Sequence, residues 1–451
     1  MKTTRNSIFF KGLAKAFQLL LFGIFLSSAA SCDDSDSPTP DLSPATATYR
    51  ADVALSWLNM QLKLARTTSV TPANTFGRPY GYCGIVGYEA VAPGMAGYKS
   101  LAGQLNGLTG LPTADRSQMY SWPLSANAAL AAINRSLFAN TSVANLASID
   151  SLESVNRTTY GAGLSTEVQT RSVEFGQRVA AAVAEWARTD GYNTTSAYTL
   201  PTGPGMWVPT APGFGNAAFP FWGANRPLVA GSNDNADPGP PMTYSEANGS
   251  PFREMARDVY TTSQTLSAEQ RAIASFWNDL PNGRNFTPPG HWISILAQVL
   301  ARENKTLDQA LLAYAKVGIS LTDAQISCFK TKYTYNLLRP ITYIRGPLGQ
   351  GTWNSLIPTP AFPEYSSAHA VISGAAAEAM TEVFGPTYAF TDQNYVPFGL
   401  PARSFTSFEQ AATEAGISRF YGGIHYLPSC EKGQVQGKKV AQNIRTKLAF
   451  R

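Results

Sequence analysis

Three short polar segments between Lys332 and His425 constrain this chain more than any other feature. They are Lys332-Tyr-Thr-Tyr-Asn-Leu-Leu-Arg339-Pro340, Pro363-Glu-Tyr-Ser-Ser367-Ala368-His369 and Ser418-Arg419-Phe-Tyr-Gly-Gly-Ile-His425. Together they carry three cations, a hydroxyl, small residues at a helix start and two of the chain's three histidines. Such a set suits a tetrahedral or trigonal-bipyramidal oxyanion held in a water-poor pocket.

Each segment has a local logic. Lys332 and Arg339 are seven apart, close to two helical turns, so a helix carrying both would aim them at one face. Pro340 would end that helix. Ser367 precedes an Ala-rich run from Ala370, which places it near a helix N-terminus, where free N–H groups attract anions. Arg419 offers a planar fork for two oxygens. His425 follows Gly422-Gly423, a turn able to re-aim the backbone.

These residues resemble the phosphatidic acid phosphatase type 2 and vanadium haloperoxidase superfamily. Its signature reads Lys-x6-Arg-Pro, then Pro-Ser-Gly-His, then Ser-Arg-x5-His-x3-Asp. The first block matches in full; Ala368 replaces Gly in the second; Ser429 stands where the third expects Asp. Glu431, two residues on, is the nearest carboxylate in sequence to take that place. The resemblance implies an oxyanion site of Lys332, Arg339, Ser367, the Ala368 N–H and Arg419, with His369 and His425 as catalytic imidazoles. Two reactions fit it. In a haloperoxidase, vanadate is the cofactor, His425 ligates vanadium, hydrogen peroxide and halide are the substrates, and His369 moves protons. In a phosphatase there is no cofactor: His425 attacks a phosphate ester to form a phosphohistidine, and His369 serves the leaving group. A third possibility is an envelope lipoprotein that binds an anion without turnover. Phe362, seven before His369, and Phe329, three before Lys332, fall where the resemblance puts the halide pocket, and aromatic residues there look chloroperoxidase-like. Asp279 is the counterpart of an Asp that pairs with the oxyanion-binding Arg in the outer shell. His291, beside Trp292, reads as a packed or surface residue.

The rest of the chain reads as all-α. Helical spacing covers 51–66, 128–138, 167–188, 269–277, 291–303, 307–317, 323–338, 370–384, 408–416 and 437–450. Ser267-x-x-Gln270, Thr306-x-x-Gln309 and Thr322-x-x-Gln325 fit the capping box. The expectation is a helical domain over 47–451 of the bundle type that the resemblance implies, with its oxyanion-site core in 320–451. A long irregular insertion, 190–252, is rich in Gly, Pro and aromatics. Trp207, Phe219, Phe221 and Trp222 suggest that it packs down near the pocket.

Residues 1–31 read as an export signal: a basic head, an apolar run and small residues before Cys32. Cys32 then resembles the lipidation site of a bacterial lipoprotein. It would be followed by an acidic Ser/Pro tether over 32–46 and would place the protein at the periplasm or surface of a Gram-negative-type envelope. Without residues 1–31 the formal net charge falls from +5 to +1, so nothing in the charge suggests nucleic acid. Oligomeric state has no sequence signal. Cys83, Cys328 and Cys430 remain, allowing at most one bridge, and no Cys-x-x-Cys pair suggests zinc.

Overall fold

The structure is a computed structural model that describes residues 42–71, 75, 77–280 and 285–451. These lie in one compact unit, Pro40–Arg451. The export segment, Cys32 and most of the tether lie outside the described residues. Thirteen α-helices and one two-stranded sheet make up the regular structure described. The all-α expectation holds, since the strands are only Phe390–Asp392 and Arg403–Phe405, paired antiparallel.

A 29-residue helix, Leu307–Tyr335, runs through the middle. Its apolar residues occur on every side, as in a helix enclosed by others. Sequence periodicity splits it into two helices with a capping box at Thr322. In the fold Thr322 is mid-helix, and its hydroxyl donates to the carbonyls of Gly77 and Gly318. The boxes at Ser267 and Thr306 do start helices. Three longer helices carry no expectation from the sequence; one of them, Pro251–Gln264, does space its buried Phe252, Met255, Ala256 and Val259 helically, and the other two lack a periodic signal for opposite reasons. Helix Arg78–Glu89 is buried all round, and helix Val143–Gly161 buries only four of its residues.

The central helix ends at Asn336, which adopts a left-handed conformation that Asn tolerates. Arg339 therefore lies outside it, as the cap of a new helix, Pro340–Arg345. Pro340 starts a helix here and does not terminate one, in keeping with its fixed φ. Lys332 and Arg339 are brought together by this reversal and not by helical period.

Helix Ala368–Phe384 packs on helix Leu427–Lys447 at very close range. A Cβ on Gly437 would fall 1.8 Å from the Val371 carbonyl oxygen, so only glycine fits. This contact draws the start of the first helix onto the second, where the Ser367 N–H donates to the Ser429 carbonyl at 3.2 Å. The 190–252 segment is irregular, as expected, apart from one short 3-10 turn, Trp222–Ala224, and its last two residues, which open helix Pro251–Gln264. It straps the chain reversal after the central helix: Trp207 N–H donates to the Asn336 carbonyl at 2.7 Å, and Leu338 N–H to that of Gly205 at 2.9 Å. Among the described residues no helix is long and apolar enough to cross a membrane. Cys83, Cys328 and Cys430 are buried free thiols.

Candidate active site

The second and third polar segments line one cavity of about 120 Å³, and the first is buried against them, with Arg339 Nη1 3.1 Å from His425 Nε2. The cavity walls include Ala368, His369, Arg419 and His425, with Asp279, Phe329 and Phe362. Lys332, Arg339 and Ser367 are fully buried beside it. Most of the lining is apolar, which excludes water and strengthens every charge interaction inside.

Glu364 organises one end. Its Oε1 accepts from His425 Nδ1 at 2.7 Å and from the Tyr426 N–H at 3.0 Å, while its Oε2 accepts from the Ser429 hydroxyl at 2.8 Å. An imidazole that donates from Nδ1 to a carboxylate keeps its lone pair on Nε2. That atom faces Arg339 Nη1 at 3.1 Å. Burial lowers the His425 pKa well below the usual range, and Arg339, Lys332 and Arg419 add to the effect. His425 is thus neutral, with an unprotonated Nε2 that accepts a hydrogen bond from Arg339 Nη1. The carboxylate expected four residues after His425, at the Ser429 position, comes instead from Glu364, 61 residues earlier, and Ser429 completes its hydrogen bonding. Glu431 is exposed and takes no part. Glu364 was missed in sequence although a signal existed: it is the only acidic residue between Asp323 and Glu378.

The cations differ in what they present. The ammonium of Lys332 donates to the carbonyls of Pro363, Glu364 and Ser366 at 3.0, 2.9 and 2.6 Å. All three of its protons are occupied, so it braces the 363–366 turn and acts on the cavity by charge. Burial lowers its pKa. Arg339 donates from Nε to the Phe362 carbonyl and from Nη1 to that of Ile424, both at 2.9 Å, and Arg419 donates from Nη1 to the Trp277 carbonyl at 2.8 Å. Each guanidinium keeps a donor in reserve. Arg339 Nη2, Arg419 Nε, Ser367 Oγ and His369 Nε2 are all buried without a hydrogen-bond partner. Ser367 is a helix cap whose hydroxyl does not cap, and the Ala368 N–H behind it, as the first of the helix, has no intrahelical acceptor. Unsatisfied buried donors cost about 1–3 kcal/mol each, and one multi-oxygen anion would satisfy them together.

Asp279 organises the other end. It accepts from His291 Nδ1 at 2.8 Å and from the Tyr395 hydroxyl at 2.6 Å, and its Oδ2 lies 3.4 Å from His369 Nε2 without a well-aligned bond. The expected pairing with an arginine is corrected: Asp279 faces Arg419 through charge only, and its hydrogen bonds go to His291 and Tyr395. His291 is packed, as expected, but between two carboxylates. Burial and then Arg419 lower the pKa of His369 to about 4. The Phe329 and Phe362 rings pack tilted at 55° with centroids 5.4 Å apart, and the Phe362 ring lies 5.1 Å from both Lys332 Nζ and Arg339 Cζ. Phe219 and Trp222 of the insertion pack behind Phe329; they support the pocket wall and do not line it.

Comparison with known proteins bears on this geometry. Residues 312–450 match the family model of the VCPO second helical-bundle domain. A bacterial vanadium-dependent iodoperoxidase of known structure is 34% identical, with a TM-score of 0.81, over 89% of this chain and 97% of its own. A bacterial vanadium-dependent chloroperoxidase in its apo form is 14% identical, with a TM-score of 0.60, over 84% of this chain and 94% of its own. Its holo form gives a TM-score of 0.58 at the same identity, over 91% of this chain and 94% of its own; these two share the fold. No curated protein sequence matches significantly.

Proposed function

This chain belongs to the vanadium-dependent haloperoxidases, a family of enzymes, and from that premise we propose that it oxidises halide with hydrogen peroxide, with vanadate as cofactor and iodide as preferred substrate. The observation that carries the proposal is a set of four buried polar atoms that make no hydrogen bond: Arg419 Nε and His369 Nε2 on residues that line the cavity, and Arg339 Nη2 and Ser367 Oγ on residues buried against its wall residues His425 and Ala368. They fit an oxyanion. Arg339, Arg419, Ser367 and the Ala368 N–H would hold its oxygens, Lys332 would add charge, and His425 Nε2 would be the coordinating nitrogen. When bound, vanadate supplies a Lewis acid that activates hydrogen peroxide towards halide.

The remaining steps fall to the chain itself. Glu364 holds the His425 proton on Nδ1, so Nε2 stays unprotonated. Neutral His369 accepts a proton at Nε2 from incoming peroxide and returns it to the oxygen that leaves as water. Asp279 Oδ2, 3.4 Å away, stabilises the charged ring in between. Overall, iodide gives up two electrons, the O–O bond breaks, one oxygen joins iodine as hypoiodous acid, and one proton is consumed with release of water. Iodide is supported by its ease of oxidation and low hydration, which suit the aromatic wall of Phe329 and Phe362, and by the 34% identical iodoperoxidase. This departs from the chloroperoxidase-like expectation drawn from those two phenylalanines.

The test is an assay of metal-stripped protein with and without orthovanadate. Iodide, bromide and chloride would each be supplied with hydrogen peroxide, beside a phosphate ester. Vanadate-dependent oxidation with the highest kcat/KM for iodide is expected. Ester hydrolysis without halide oxidation would overturn the proposal in favour of a phosphatase, and bromide or chloride in first place would overturn the halide assignment.

A further inference from the structure

Beyond Asp279, among residues that do not line the cavity, lie two buried groups that the reaction as described does not use, His291 and Asp392. His291 is completely buried. Its Nδ1 meets Asp279 Oδ1 at 2.8 Å and its Nε2 meets Asp392 Oδ2 at 2.7 Å. Asp392 lies on the short strand Phe390–Asp392 and is itself fully buried. Asp279 comes from the segment after helix Ala268–Phe276, and His291 from helix Pro288–Arg302. Three separate elements therefore converge on this one ring.

The two contacts decide the state of the ring. A neutral imidazole has one N–H, so one of its nitrogens would turn a lone pair on a carboxylate oxygen within 3 Å. The other donors to the carboxylates suit ionised acids. The Tyr395 hydroxyl donates to Asp279 at 2.6 Å, and the Asn394 N–H donates to Asp392 at 2.9 Å. The Trp277 ring stacks on His291 at 4.3 Å and 21°, a face that attracts a cation. Asn394 Nδ2 also donates to the His291 carbonyl at 3.2 Å, which fixes the backbone beneath the ring.

We propose that His291 and Asp392 are positioning residues for the reaction: a doubly protonated His291 clamped by Asp392 holds Asp279 ionised and aimed at His369. The catalytic consequence rests on the haloperoxidase reading, whereas the clamp itself does not. Burial alone would lower the pKa of His291, but the two carboxylates outweigh it and raise it to about 10. The cation also limits how strongly Asp279 attracts a proton onto His369, since His291 is among the charges that hold the pKa of His369 down. The other charged or titratable groups around these residues are Tyr395 and Arg419. Glu414 sits at Trp277 Nε1, Arg403 lies beside Phe276, and Arg66 faces Tyr395.

The chain has only three histidines, so nitrogen-15 NMR of labelled imidazoles can follow each one in the full, vanadate-free protein. Wild-type His291 is expected to carry protons on both ring nitrogens from pH 6 to 8. Asp392→Asn keeps a hydrogen-bonding group in place but removes the clamp's charge. His291 should then become neutral in that range, and the titration of His369 should rise by about one pH unit, the low end of the effect of a single nearby charge. In the vanadate-loaded enzyme, the acid limb of kcat/KM should move upward by the same amount. A singly protonated His291 in the wild type would overturn the proposal. So would an Asp392→Asn protein that is merely less stable, with the titration of His369 unmoved. If Asp392→Asn does not fold, the wild-type spectrum still decides the state of the ring. Tyr395→Phe, which removes a donor from Asp279, then tests the coupling: His369 should again titrate higher, and an unmoved titration would count against the proposal. The NMR measurements need no turnover, so they stand or fall apart from the haloperoxidase assignment.

Discussion

The two ends of the cavity use the same pair of residue types in opposite ways. At one end Glu364 bonds His425 on the ring nitrogen remote from Arg339, at 2.7 Å, and the bond leaves Nε2 unprotonated and fixed, accepting only from Arg339 Nη1. At the other, Asp279 approaches His369 at Nε2, the atom that is buried without a partner, and stops at 3.4 Å. A carboxylate behind the ring makes a fixed lone-pair donor. A carboxylate beside the reactive nitrogen makes a ring that can gain a proton and lose it again. The first arrangement suits coordination and the second suits proton transfer.

Substitution of His425 is the most direct way to break this comparison. His425→Ala should lower vanadate affinity by more than about 100-fold, beyond the 10–100-fold expected for a residue that only supports a ligand. Calorimetric titration with orthovanadate measures it, and equal affinity in mutant and wild type would make His425 a bystander. His369→Ala should act on the other quantity. Turnover should fall by about 10²–10⁴-fold while vanadate still binds, and a collapse of binding would erase the distinction between the two ends. The same residue sets a pH limit. Burial and Arg419 place its pKa at about 4, so the base is neutral and active above that pH. Activity should fall as pH drops through about 4, and a limb near 6.5 would mean an unperturbed histidine.

Glu364→Gln sharpens the comparison. With the Nδ1 proton no longer secured, vanadate affinity should fall by roughly 10–100-fold, well short of complete loss. Ser429→Ala removes only one hydrogen bond to Glu364, at 2.8 Å, and should cost about 1 kcal/mol of stability, read from denaturant unfolding. Should Ser429→Ala match Glu364→Gln in vanadate affinity, the serine would be controlling the carboxylate and not merely completing it.

Some of this was legible because it is local. The order and spacing of Lys332, Arg339, Ser367, His369, Arg419 and His425 stand in the chain, and so does the start of an Ala-rich helix beside Ser367. Capping chemistry located two helix starts, at Ser267 and Thr306, because the capping box closes within four residues. The same pattern at Thr322 misled, because the hydroxyl found the Gly77 carbonyl across a helix contact that no local rule describes. Periodicity likewise could not detect helix Arg78–Glu89, whose every face is buried.

What the sequence by itself determined was the inventory: an all-helical chain with three cations, two imidazoles and a helix start suited to one anion. Only the tertiary structure decided how that inventory is used. It gave the missing aspartate's role to Glu364, turned the Lys332 protons onto three carbonyls, set Arg339 beyond the helix that was expected to carry it, and enclosed His291 between Asp279 and Asp392. The reason is one of range. Helical period and capping act over a few residues, whereas these partners lie from 12 to 101 positions apart and meet only where packing brings buried polar groups to the acceptors and donors they require.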